Sequence, residues 1–192
     1  MPNVKLPTGV DLYYESHGQG EPLIFVPSTA FSGEVWKPSQ MPLAESLNII
    51  FHDPRGCGRS VAGQGVYTIE QMALDIVALM DHLQIRSAHL IGHSMGGRIA
   101  LSLAQNFPGR VKSLIMAASG SGPAARSGPD CITGLPHRLV LGLVEMGFEK
   151  YIHHEICDSD AFFTKDYRDR HPDKVMEFFK LAWATHAKLP EF

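Results

Sequence analysis

The chain has 192 residues, of which 44% are hydrophobic and 19% are charged, with a formal net charge of -3 at pH 7. These values are typical of one soluble globular domain, or of a core with a small satellite, and they exclude a large multidomain assembly. The apolar runs are far shorter than the roughly 20 residues of a membrane span, and 17 basic against 20 acidic side chains predict no nucleic-acid partner.

The N-terminal residues and the cysteines both bear on the cellular compartment. Met1–Pro7 lacks the basic and apolar stretch of a secretory signal, so the sequence predicts a cytoplasmic location. Three widely spaced cysteines predict thiols rather than a disulfide framework, namely Cys57, Cys131 and Cys157.

The first predicted elements are strands. β-prone runs at Val4–Leu6 and Val10–Tyr14 predict an opening hairpin, with Gly9 in its turn. Leu23–Val26 is continuously apolar, and Leu47–Phe51 is apolar except for one residue. Such runs are typical of strands that are buried on both faces of a sheet.

Helices and strands alternate through the middle of the chain. Apolar residues at helical spacing follow Thr68, and Thr68 with Gln71 has the form of a capping box. Next come a short apolar strand at Ala88–Ile91, a helical stretch that ends at Phe107, and a predicted buried strand at Val111–Ala118. This alternation predicts the α/β class, with a mostly parallel sheet and helices on both faces.

The composition changes after Ser119. Residues 119–136 are rich in Gly, Pro and Ser, and three helical stretches follow, at Leu139–Ile156, Ala161–Arg168 and Lys174–Ala187. We predict an α/β core over residues 1–120 and a helical cap over residues 121–192.

The segment between Ala88–Ile91 and the next helix reads Gly92-His93-Ser94-Met95-Gly96. In this context the serine lies at the tip of a sharp strand-to-helix turn, and glycines at both flanks avoid a clash between Cβ atoms and backbone. Ser94 is therefore the candidate nucleophile. The backbone N–H of Met95, at the helix N-terminus, is a candidate oxyanion donor.

With this motif the sequence resembles the α/β-hydrolase family, and lid-bearing esterases and lactonases in particular. Asp53–Ser60 is similar to the Asp-x-Arg-Gly-x-Gly-x-Ser turn of that family, and Val26–Phe31 occupies the place of its second oxyanion donor. The resemblance implies that Thr29 N–H is this donor. Because Pro27 and Ser28 replace the usual His-Gly pair, the Ser28 N–H is an alternative.

The resemblance implies a serine hydrolase that cleaves an ester, a lactone or a related small carbonyl substrate through an acyl-enzyme on Ser94. The family places the acid and then the histidine after the nucleophile. The downstream histidines all lie in the predicted cap, namely His137, His153, His154, His171 and His186.

We therefore expect the 192-residue chain to be an inactive fragment, with its acid and base in a further C-terminal segment or in a second chain. We also expect the strand at Val111–Ala118 to form an open sheet edge through which the chain self-associates.

Other polar residues are interpreted as structural. Asp53 and Arg55 are expected to hold a turn, His93 to pack beside the strand-to-helix turn, and Cys57 to be inert. No metal is predicted at His153–Glu155, because adjacent helical residues diverge by ~100°. No cofactor is predicted, because no phosphate-binding glycine motif follows an early strand.

The alternative from a different functional class is a non-catalytic ligand-binding protein of the same fold. Members of the family also include carbon–carbon bond hydrolases and cofactor-free peroxidases, so the exact reaction and the substrate stay open.

Overall fold

The computed structural model describes residues 3–29, 31–62, 67–120, 145–160 and 162–184. The chain divides into two compact units, one within residues 1–122 and the other within residues 123–184. That the second unit acts as a cap stays a prediction.

A seven-stranded mixed sheet forms the centre of the first unit. Its strands are β1 (Asn3–Lys5), β2 (Val10–His17), β3 (Glu21–Val26), β4 (Leu47–His52), β5 (Val61–Ala62), β6 (Ala88–His93) and β7 (Val111–Ala117). Their order is β1-β2-β4-β3-β6-β7, with β5 against β2. The run β4-β3-β6-β7 is parallel, and β1, β2 and β5 pair antiparallel. The predicted mostly parallel sheet is confirmed.

Helices cover both faces of this sheet. The helices are α1 (Lys37–Gln40), α2 (Ile69–His82) and α3 (Met95–Asn106), with 3-10 turns at Gly33–Trp36, Met41–Glu45 and Pro108–Arg110. Residues of α2 and α3 share one apolar core with Ile24, Val26 and Leu90. Trp36 and Ala44 pack on the opposite face, where Phe25 belongs to a second cluster.

Local signals set the ends of several elements. Thr68 caps α2 as predicted, because its Oγ1 accepts a hydrogen bond from Gln71 N at 3.1 Å. The opening hairpin is also confirmed, with Gly9 at a φ of 82° that favours glycine. These signals act within a few residues, so they are visible in the sequence.

Strand β7 is less buried than predicted. Lys112 and Ser113 are exposed, and the exposed fraction of Ile115 is 54%. Among the described strands, β7 pairs only with β6, so one of its edges has no partner strand there. An apolar run that looks like a central strand therefore lies at the edge of the described sheet.

The second unit is helical. It contains α4 (Phe148–His153), a π-helical turn (His154–Asp158), α5 (Lys165–Arg170) and α6 (Pro172–Ala184). The predicted first helix changes to the π-helical turn, and the predicted second helix begins at Lys165, where Thr164 accepts from Tyr167 N at 3.3 Å. Residues 139–144 and 185–187 of the predicted helices lie outside the described residues.

Two further expectations concern the whole chain. In the part of the chain that the structure describes, no helix has the length and apolarity that a membrane span needs. Among the described residues, Cys57 and Cys157 are not joined to each other by a disulfide, and Cys131 lies outside the described residues.

Candidate active site

The candidate site lies where the order of the parallel strands reverses. From β3 the chain passes to β4 on one side of β3, and it then crosses through α2 to β6 on the other side. At such a reversal the loops after the strands separate and leave a crevice that binds ligands. Val26 at the end of β3 pairs with Gly92 of β6, so the loops after both strands leave the same edge of the sheet.

Ser94 occupies the turn between β6 and α3. Its φ of 52° and ψ of -117° lie in a region that costs a residue other than glycine about 1–3 kcal/mol. Two hydrogen bonds hold this backbone, from Ser94 N to Ala117 O at 3.0 Å and from Ser119 Oγ to Ser94 O at 2.7 Å. The side chain of Ser94 does not cap α3, and the residue is only partly buried.

Close backbone approaches explain the glycines around Ser94. A Cβ on Gly92 would lie 2.3 Å from Gly96 O, and a Cβ on Gly96 would lie 2.1 Å from Val26 O. A Cβ on Gly97 would lie 2.4 Å from Ser119 Oγ. The motif predicted that glycine is needed at positions 92 and 96. It did not predict that Gly96 packs on the distant backbone of Val26, or that Gly97 packs on Ser119.

The predicted oxyanion donors follow the two strands that end at this edge. Met95 is the first residue of α3, where a backbone N–H has no acceptor within the helix and forms part of the positive end of the helix dipole. Ser28 and Thr29 lie in the loop after β3, where Phe31 N donates to Ser28 O at 3.2 Å. Ser28 is buried and Thr29 is exposed. Which of their N–H groups points toward an oxyanion stays a prediction.

Asp53 ties this loop to the turn after β4. The carboxylate is fully buried and accepts from Gly33 N at 3.0 Å, from Arg59 N at 2.9 Å and from Arg59 Nε at 2.8 Å. The guanidinium carbon of Arg59 lies 3.5 Å from the centroid of the Tyr13 ring. The structural role predicted for Asp53 is confirmed, and it extends to the loop that carries Thr29.

Arg55 forms a second buried ion pair in the same turn. Its Nε and Nη2 donate to the Asp75 carboxylate at 2.7 and 2.6 Å, and Nη2 also donates to Thr8 O at 3.2 Å. The structural role predicted for Arg55 is therefore confirmed. This pair joins the turn to α2 and to the opening hairpin.

Two histidines lie at the ends of strands near the candidate site. His93 packs edge-to-face on Trp36, with ring centroids 6.3 Å apart, and desolvation by burial lowers the pKa of His93. His52 is buried at the end of β4, where desolvation lowers its pKa to about 4. Cys57 is buried as well.

Of the five histidines that follow Ser94, three lie among the described residues. His153, His154 and His171 lie in the second unit, and His137 and His186 lie outside the described residues. His153 Nδ1 lies 3.3 Å from Asp158 Oδ2. Among the described residues, no group of three or more His, Cys, Asp or Glu side chains is placed to hold a metal ion. That the base and the acid lie outside these 192 residues stays a prediction.

Comparisons with known proteins agree with this geometry. Residues 21–172 match the model of the alpha/beta hydrolase fold family. RutD of Azorhizobium caulinodans, which carries the name of a carbamate hydrolase, is 38% identical over 104 residues, covering 54% of this chain and 39% of that protein. The chain thus matches less than half the length of this relative.

Two solved structures show the same fold. A carboxylesterase structure from Nitrososphaera gargenis is 25% identical, has a TM-score of 0.78 and covers 97% of this chain and 68% of its own. The enol-lactonase of Burkholderia xenovorans LB400 is 23% identical, has a TM-score of 0.77 and covers the same shares, 97% and 68%.

Proposed function

The chain belongs to the alpha/beta hydrolase fold family, and from that membership we propose that it forms the nucleophile-bearing part of a serine hydrolase. Its substrate is an ester, a lactone or a related small carbonyl compound. The observation that carries the proposal is the strained backbone of Ser94, between a strand end and a helix N-terminus, with Gly92 and Gly96 in close contact.

In the proposed reaction, Ser94 Oγ attacks the carbonyl carbon of the substrate. A general base takes the hydroxyl proton, and the negative charge that develops on the carbonyl oxygen is held by the N–H groups of Met95 and of Thr29, or of Ser28 in place of Thr29. Collapse of the tetrahedral intermediate breaks the bond from the carbonyl carbon to the leaving heteroatom, which takes the proton from the base, and leaves an acyl-enzyme on Ser94. Water then releases the acid and restores the hydroxyl.

The proposed substrate class draws on the similar proteins. Carbamates, lactones and carboxylic esters share a carbonyl carbon that bears a heteroatom leaving group, and the names of the similar proteins refer to these three compound types. This shared chemistry supports a small carbonyl substrate.

We also propose that the base and acid come from a further C-terminal segment or a second chain, so that the 192 residues alone turn over no ester. Without a base the serine hydroxyl stays protonated and is a weak nucleophile. The cytoplasmic location and the cap role of the second unit belong to this proposal.

Labelling with a fluorophosphonate tests the proposal in the full-length protein. We expect one phosphonyl group per protein, located on Ser94 by peptide mass, and no label in the Ser94→Ala variant. Label on another residue, or hydrolysis of p-nitrophenyl acetate that persists in Ser94→Ala, would contradict a serine mechanism at this position. A protein that takes no label and hydrolyses no ester, yet binds a small ligand, would fit the non-catalytic alternative.

A further inference from the structure

We propose that Asp53 is a positioning residue for the oxyanion donor in the loop after β3, an inference that rests on the proposed function. Asp53 lies outside the predicted reacting groups, and its carboxylate is buried. It would act through its hydrogen bond to Gly33, in the same loop as Ser28 and Thr29, rather than by touching the substrate.

Four hydrogen bonds meet on the carboxylate of Asp53. Oδ1 accepts from Gly33 N at 3.0 Å and from Arg59 Nη2 at 3.2 Å. Oδ2 accepts from Arg59 N at 2.9 Å and from Arg59 Nε at 2.8 Å. One carboxylate therefore joins the loop after β3 to the turn after β4 through backbone donors of both.

The loop after β3 is held at both ends. At its start, the Val26 and Pro27 carbonyl oxygens lie against Gly96, where a Cβ would come within 2.1 and 2.5 Å of them. At its other end, Gly33 N donates to Asp53. Gly33 also packs so tightly that an added Cβ would lie 2.9 Å from His52 N. The candidate donors Ser28 and Thr29 lie between these two anchors.

The negative charge of the buried Asp53 carboxylate is also paired. Arg59 compensates the buried carboxylate, and its Nη1 also pairs with Glu34 Oε1 at 2.7 Å, beside the loop. Desolvation lowers the pKa of Arg59, but its hydrogen bonds and charge interactions with Asp53 and Glu34 outweigh that effect and raise it. An asparagine at position 53 would present an amide N–H group to neighbours that are themselves donors. We therefore expect Asp53→Asn to release one anchor with almost no change in volume.

Displacing the oxyanion donor is expected to affect the transition state more than the bound substrate. An oxyanion donor gains most of its interaction energy when negative charge develops on the substrate oxygen, so a displaced donor weakens the transition state more than the bound substrate. A loosened loop is thus expected to lower kcat and to leave KM nearly unchanged. If the role of Asp53 is merely structural, the melting temperature falls, but kcat is not lowered selectively relative to KM.

The experiment compares Asp53→Asn with Asp75→Asn in the full-length protein. Asp75 is the matched control because it is also a buried carboxylate paired with an arginine of the same turn, and it does not contact the loop after β3 through the hydrogen bonds described. The measurements are kcat and KM for p-nitrophenyl acetate, and the inhibition constant of phenylboronic acid, which forms a tetrahedral adduct with a nucleophilic serine.

For Asp53→Asn we expect kcat to fall about 10- to 100-fold and the inhibition constant to rise by a similar factor, with KM within about twofold. For Asp75→Asn we expect a lower melting temperature but a kcat within about threefold of the parent. Equal losses of kcat in the two variants, or a parental kcat in Asp53→Asn, would overturn the inference.

Arg59→Lys serves if Asp53→Asn does not fold, because it keeps the positive charge but removes the guanidinium hydrogen bonds that fix the Asp53 carboxylate against Gly33. We expect a smaller fall in kcat, again with KM unchanged and a matching rise in the inhibition constant; kinetics like those of the parent would count against the inference. Ser94→Ala separates the two proposals. If Ser94→Ala is inactive and Asp53→Asn is unaffected, only the role of Asp53 fails, whereas an active Ser94→Ala removes the proposed function itself.

Discussion

A Cβ atom on Gly96 would lie 2.1 Å from the carbonyl oxygen of Val26, so the first turn of α3 is in direct contact with the end of β3. This approach brings the Ser94 turn next to the loop that carries Thr29. The two halves of the candidate site therefore depend on one backbone contact that only glycine permits.

Substitution of Gly96 tests this contact. We expect Gly96→Ala to lower the free energy of unfolding by about 1–3 kcal/mol, because the added methyl group must displace the backbone of β3. Gly109→Ala is the control, since a Cβ on Gly109 has no atom within 4 Å. Urea unfolding of both variants gives the comparison, and equal stabilities would show that the contact is not tight.

The backbone strain at Ser94 predicts different stabilities for two variants that lack its hydroxyl. Both Ser94→Ala and Ser94→Gly remove the hydroxyl, but only glycine adopts a φ of 52° with a ψ of -117° at little cost. We expect Ser94→Gly to be more stable than Ser94→Ala by about 1 kcal/mol or more. Thermal unfolding of the two proteins measures this difference, and a more stable Ser94→Ala would argue against strain.

His52 predicts a loss of stability in mild acid. Desolvation lowers its pKa from 6.5 to about 4, and the charges of Asp53 and Asp75 offset only part of that shift. Between these pH values the unfolded chain binds a proton that the folded chain does not. The contribution of His52 to stability is therefore complete above pH 6.5 and is lost as the pH falls toward 4.

The variant His52→Gln should weaken this pH dependence. We expect the slope of unfolding free energy against pH, between pH 6.5 and 4, to decrease by up to about 1.4 kcal/mol per pH unit. His89→Gln, at a partly exposed histidine of β6, controls for the loss of an imidazole. An unchanged slope in His52→Gln would mean that this histidine is protonated in the folded protein.

The edge of β7 predicts how the 192-residue chain behaves in solution. Backbone groups on an edge without a partner strand, with the exposed side chain of Ile115 beside them, favour pairing with another strand. We expect the chain to associate and Ile115→Lys to reduce that association. Light scattering after gel filtration measures both, with Leu74→Lys as the control because Leu74 is also an exposed apolar residue but lies on helix α2 rather than in β7. A monomeric parent chain would contradict the prediction.

Local patterns in the sequence predicted most of the first unit. The Thr68 cap depends on residues within a few positions of one another. The turn at Ser94 is visible as a short glycine-flanked motif, although Ala117 and Ser119, which are distant in sequence, also hold its backbone. Strand β7 shows where this reasoning ends. Its apolar residues predicted a buried strand, but Ile115 is 54% exposed, because the covering of each sheet face depends on elements that are distant in sequence.

The sequence by itself determined the α/β class, the candidate nucleophile and the glycines at positions 92 and 96, because each leaves a short-range pattern. Only the tertiary structure decided that Asp53 holds Gly33, that Ser119 supports Ser94, and that Trp36 packs on His93. These pairs lie 20 or more residues apart in sequence. They meet because parallel strands connected by crossovers bring distant loops to one edge of the sheet.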